Sequence, residues 1–103
     1  MKRAKVFVNG VYAGDFEEIV KGKEYRFTYQ KGYDGEPISL TMPVPQQTFI
    51  FDHFPPFFEG LLPEGAMLEA LLRKRKIDAA DYFEQLMLVG KEMVGSVSVE
   101  RDV

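Results

Sequence analysis

Few side chains in this sequence could do chemistry. The single histidine, His53, stands beside Asp52 and six positions before Glu59. Metal ligation needs three or four convergent donors at motif spacing, and this group does not supply them, so His53 reads as a loop residue. Cysteine is absent, which removes a thiolate nucleophile, a disulfide framework and a Cys-based zinc site together. Glu59 and Glu64 could form an acid–base pair, but such a pair needs a cleft that tunes its pKa values. Both read better as acids at helix ends. Gly10, Gly14 and Gly22 match neither a G-x-x-x-x-G-K-[ST] phosphate loop nor a strand–G-x-G-x-x-G–helix unit, and are read as turn or bulge glycines. No catalytic, cofactor-binding or metal-binding residue is assigned, and the chain is read as a non-enzyme.

Binding chemistry remains. Arg73-Lys74-Arg75-Lys76 is a cationic run in a chain with 13 basic and 16 acidic residues, a net charge of −3. Cations at a helix C-terminus offset the macrodipole. Four of them in an acidic domain make a weak nucleic-acid footprint, so direct nucleic-acid binding is not expected. Phe49, Phe51, Phe54, Phe57 and Phe58 crowd five rings into ten residues. They read first as core, with part of the cluster a candidate apolar patch for a protein partner.

The elements that must position these residues divide by half. Lys5-Val6-Phe7-Val8 and Val11-Tyr12-Ala13-Gly14 flank Asn9-Gly10, the strongest short hairpin signal. Tyr25, Phe27 and Tyr29 alternate with Arg26 and Thr28 in a third strand over 24–29. Ile38, Leu40 and Met42 alternate with Ser39 and Thr41 and predict a fourth, ended by Pro43 and Pro45. Pro55-Pro56 opens a short helix through Phe57–Leu62, which Pro63 interrupts. A second helix covers Glu64–Lys76, with Met67 or Leu68 on a stripe with Leu71 and Leu72. Asp78 is the expected N-cap of a third helix, burying Ala79, Tyr82, Phe83, Leu86 and Val89 and capped by Gly90. Met93, Gly95, Val97 and Val99 alternate in a closing strand. The result is an α+β class: a small antiparallel sheet, about three short helices and a returning strand.

The chain's 103 residues are 46% hydrophobic and 28% charged, the composition of one globular domain over 1–103, with a radius of gyration of roughly 13 Å. Its opening has no apolar signal-peptide core, and no run approaches the ~18 apolar residues of a membrane span. A cytoplasmic location without membrane attachment is expected.

One stretch looks specified beyond its helix pattern. Phe57-Phe58-Glu59-Gly60-Leu61-Leu62-Pro63-Glu64-Gly65 is punctuated by proline and glycine. It reads either as a buried helix–turn–helix corner or as a rigid loop presenting Glu64, Ala66 and Met67 to another protein. Phe58-x-x-Leu61-Leu62-Pro63-Glu64-Gly65 resembles the FxxLLPEG signature in the N-terminal subdomain of HipA-type toxin kinases. In order along the chain, Val8-Asn9-Gly10-x-x-x-Gly14 resembles that family's opening hairpin and Phe27-x-Tyr29 its F-x-Y strand. Ile38-Ser39-Leu40-x-Met42-Pro43 resembles its pLSlslP segment, and Tyr82-Phe83 through Val94-Gly95-Ser96-Val97 its closing motif. The match runs over roughly residues 4–99.

HipA-type chains continue into a kinase domain whose motifs are not found here. The resemblance therefore points to tripartite HipBST-type toxin–antitoxin systems, in which this subdomain is a separate small HipS-type antitoxin. It implies two partners, a HipT-like serine/threonine toxin kinase and a HipB-like helix-turn-helix protein in a ternary complex. The implied function is neutralisation of the kinase by docking; the alternative is a structural or assembly subunit of an active kinase. A surface once joined to a kinase should be apolar at its centre with a polar rim. The candidate kinase-binding residues are Phe57, Leu61, Pro63, Glu64, Gly65, Ala66, Met67 and Leu68.

Overall fold

A computed structural model describes residues 2–90 and 96–102. Its sheet has five strands: β1 (Lys2–Val8), β2 (Val11–Val20), β3 (Glu24–Tyr29), β4 (Thr48–Phe51) and β5 (Val97–Arg101). Their order is β4-β3-β2-β1-β5, with every neighbouring pair antiparallel. Among the described residues, three α-helices, α1 (Pro56–Glu59), α2 (Gly65–Arg75) and α3 (Tyr82–Val89), lie between β4 and β5 in the chain. This is the α+β arrangement expected, and the last strand enters the sheet beside β1. Met93, Val94 and Gly95 of the expected closing strand lie outside the described residues.

The β1–β2 hairpin turns on Asn9 and Gly10, at φ 50° and 81°, the paired positive values a type I′ turn requires. Both strands exceed the expected boundaries. Their far ends are held by charge rather than apolar alternation: Arg3 faces Glu17 across the ladder, and Arg26 of β3 lies 3.0 Å from the same carboxylate. Gly14 is required by close approach, because a Cβ there would strike the Thr28 carbonyl oxygen of β3.

The core lies against one sheet face. Ala4, Val6, Phe16, Phe27 and Val99 are completely covered there. Phe16 sits at its centre. Its ring stacks on Phe58 of α1 at 4.1 Å between centroids, with Phe83 of α3 at 5.4 Å and Phe54 at 5.7 Å. Burying each such ring contributes roughly 1.5–3 kcal/mol. Phe49, Phe54 and Phe58 are buried, and Phe51 and Phe57 half-buried. The phenylalanine cluster is thus core and its edge, not an exposed patch.

Several expected elements are displaced. Residues 38–42 form a turn, not a strand. Ile38 and Met42 are buried while Leu40 between them is 97% exposed. The Tyr29 hydroxyl holds the turn, accepting from Ile38 N at 3.0 Å and donating to the Met42 carbonyl at 2.5 Å. The fourth strand is instead Thr48–Phe51, paired with β3 as Phe27 opposite Phe49. The N-cap of α3 is Asp81, whose carboxylate accepts from Glu84 N. Asp78 caps a preceding turn by accepting from Ala80 N at 2.8 Å. With the helix starting three residues later, Ala79 is exposed, as is Tyr82. The first helix ends at Glu59, leaving Leu61 and Leu62 in a turn.

Candidate functional site: the corner between the first two helices

The corner is built by backbone rules. Pro55 is extended and Pro56 starts α1, where a missing N–H is no loss. Leu61 N donates to the Phe58 carbonyl and Leu62 N to that of Glu59, both at 3.1 Å, so the chain winds tightly out of the helix. Pro63 cannot continue that series. Glu64 is extended, and Gly65 at φ 61° redirects the backbone into α2, a conformation open to glycine at little steric cost.

The side chains separate accordingly. Phe57, Leu61, Pro63 and Leu68 are half-buried; Glu64, Gly65, Ala66 and Met67 are exposed. Met67 is 75% exposed, so Leu68, not Met67, joins Leu71 and Leu72 on the inward stripe. No residue of α2 is buried. Most helix stability in folded proteins comes from packing one apolar face, and α2 does little of that. Its last residues Arg73, Lys74 and Arg75 and the C-cap Lys76 are exposed, and none forms an ion pair among the described residues.

Beside the corner runs an open groove of about 300 Å³ between α1 and α3. Glu59, Leu62, Glu64 and Leu68 lie on one side, and Tyr82 and Gln85 come from α3. Sequence reasoning passed over Gln85. Its signal was an amide placed between Phe83 and Leu86 on the buried stripe of α3. Gln85 is 1% exposed. Its Nε2 donates to the Asp78 and Ala79 carbonyls at 3.3 and 3.0 Å, which fixes the amide's orientation. Its Oε1 has no donor among the described residues. A buried acceptor left without a partner costs roughly 1–3 kcal/mol.

Several other charged residues pair within the fold. Lys2 and Lys21 approach Asp81, and Arg101 grips Glu84. His53 is on an exposed loop, 2.6 Å from its neighbour Asp52. Among the described residues no group of three or more His, Cys, Asp or Glu could hold a metal ion. No helix among them is long and apolar enough to cross a membrane.

The family model of the HipA N-terminal domain matches residues 4–100. An uncharacterized protein of Haemophilus influenzae is 32% identical over 102 residues, covering 99% of this chain and 94% of that one, so the relative is of similar size. A solved structure described as the N-terminal domain of HipA toxin superposes with a TM-score of 0.78 at 30% identity, covering 100% of this chain and 94% of that one.

Proposed function

The chain belongs to the HipA N-terminal domain family, and from that membership we propose that it is an antitoxin which binds a HipT-like serine/threonine kinase and neutralises it. The matched domain is not the family's kinase domain, and the protein has no phosphotransfer activity of its own in this reading. The observation that carries it is α2: a helix of 11 residues with none buried, entered through a rigid Pro63–Gly65 turn that holds Met67 outward. A helix so little used by its own core is available to another protein. A preset turn lowers the ordering cost of docking. Phe57, Leu61, Pro63, Glu64, Gly65, Ala66, Met67 and Leu68 are the proposed contacts, with a HipB-like helix-turn-helix protein completing the assembly.

The test is phosphotransfer by a HipT-like kinase of the same genome, with and without the purified protein. Suppression at stoichiometric ratio is the expected result. Unchanged or raised activity in a stable complex would make the chain an assembly subunit instead.

A further inference from the structure

We infer that two copies of this chain join edge to edge through β4, antiparallel about a two-fold axis at Phe49, so that their sheets become one. Nothing in this pairing depends on a kinase. Gln30 N donates to the Ala13 carbonyl, and Tyr29 N donates to that of Gln47. Antiparallel bonding alternates along a strand, so β3 turns Arg26 and Thr28 towards β2, and Tyr25 and Phe27 towards β4. Their partners Phe51 and Phe49 carry the β3–β4 ladder. Thr48 and Ile50 therefore aim their N–H and C=O groups at the free edge. Among the described residues, the one partner of these groups is the Gln46 side-chain amide, 3.5 Å from the Thr48 carbonyl, which is long for a hydrogen bond.

The opposite edge of the sheet is closed. Asn9 N donates to the Ser96 carbonyl and Asp102 N to that of Arg3, so Val97, Val99 and Arg101 face outward from β5. There Gly90 packs against the Val99 carbonyl, and Arg101 is tied to Glu84. β4 has no such cover. Thr48 and Ile50 are exposed, and Thr48-Phe49-Ile50-Phe51 contains none of the charges or prolines that guard an open edge.

A second copy is the occupant because the edge is its own complement. With the axis at Phe49, Thr48 of each copy stands opposite Ile50 of the other. Both residues face outward, so each pair exchanges both main-chain bonds, and every outward group of the strand is used. The Ile50 side chains, 70% exposed in the single chain, approach to roughly 7–8 Å across the axis, on the face away from the core. The strand ends oppose no like charges: Asp52 follows the strand, neutral Gln46-Gln47 precede it, and the antiparallel arrangement sets one end beside the other. A strand of 4 residues covers far less area than a tight dimer needs, so the dissociation constant belongs at roughly 0.1–1 mM.

The test is sedimentation and amide NMR of the full chain from about 20 µM to about 2 mM. The mass should rise from monomer towards dimer, with concentration-dependent shifts centred on the Thr48 and Ile50 amides. Ile50→Lys leaves the main chain intact and sets two cations across the axis, so it should dimerise at least roughly fivefold more weakly. Its melting temperature at the lowest concentration should match the parent's. Ile50→Pro deletes an outward N–H that the β3 ladder does not use, at an edge that tolerates proline, and should also stay monomeric. If the proline variant does not fold, the lysine variant decides. A parent that is monomeric throughout, shifts centred on α2, or a dimer that Ile50→Lys leaves unchanged would each overturn the inference.

Discussion

Arg101 of β5 places Nη2 2.6 Å from both carboxylate oxygens of Glu84 in α3, tying the last strand to the helix packed over it. Lys2 of β1 adds a second cation 3.4 Å from the same carboxylate. Burial alone would raise the Glu84 pKa, but the hydrogen bond and charge of Arg101, then those of Lys2, outweigh it and hold the carboxyl below its ordinary 4.5. A carboxyl with a lower pKa folded than unfolded takes up protons more readily in the unfolded chain. Its contribution is therefore present above the unfolded value and lost as pH falls through the folded one. Arg101→Ala should cost about 1 kcal/mol at neutral pH, since both partners are partly exposed. In urea melts, its deficit against the parent should shrink once pH drops below 4.5. A deficit unchanged at low pH would show that Arg101 acts through packing of its stem.

The end of α3 gives a steric prediction. Gly90 has φ −60°, open to any residue, yet a Cβ there would meet the Val99 carbonyl oxygen and side chain. Gly90→Ala should destabilise by about 1–3 kcal/mol through overpacking. Gly60→Ala is the matched control. Its nearest heavy atoms would lie at 3.5 Å, an ordinary contact, and its melting temperature should stay within a few degrees of the parent. Equal tolerance at both positions would mean that the α3–β5 contact is looser than drawn.

The sequence made plain those elements whose pattern came from burial on one face, such as Tyr25, Phe27 and Tyr29. It misled where the pattern had another cause. Ile38 and Met42 are buried as a strand's inward residues would be, but a hydroxyl thirteen residues from Met42, on Tyr29, holds them in a turn. That contact has no local signature. The true fourth strand was present as Phe49 and Phe51 alternating with Thr48 and Ile50, masked by reading the phenylalanines as one cluster. The polar ends of β1 and β2 were missed because Glu17 is buried by its arginines rather than by hydrophobicity. At the candidate site, the LLPEG corner was legible because proline and glycine dictate backbone. Gln85 was not, because an unpaired acceptor exists only once the fold has assigned every donor.

Burial raises Tyr12, Tyr25, Tyr29 and Tyr33 above the ordinary value, Tyr12 and Tyr25 the furthest. Burial, then the hydrogen bond to Asp15, pushes Tyr12 up to about 12. Burial, then Glu18, does the same for Tyr25. The folded state holds these protons where the unfolded chain, near the ordinary 10.0, releases them. Stability should therefore fall as pH rises from 10 towards 12. Tyr12→Phe should flatten part of that fall, read as denaturant midpoint against pH. Phenolate absorbance reaching full amplitude near pH 10 with the fold intact would contradict it.

Met67→Asp separates the proposed kinase-docking face from the core. Met67 is 75% exposed at the start of a helix with no fully buried residue and points away from its half-buried leucines, so a carboxylate there displaces no packing and lies in the first turn, where the helix dipole favours negative charge. Its stability should stay within about 0.5 kcal/mol of the parent, as for other surface changes. Phe58→Ala, under the same assay, removes the ring stacked on Phe16 and should cost about 3–5 kcal/mol. In a kinase interface, a flexible thioether filling an apolar pocket is the kind of anchor whose loss costs ~2 kcal/mol or about thirtyfold in affinity, and a desolvated carboxylate adds to that. The folded Met67→Asp protein should then fail to protect cells from the HipT-like kinase, while the parent protects. Protection retained by the folded variant would remove Met67 from the neutralising surface. A large drop in its melting temperature would instead return Met67 to the core, against its exposure.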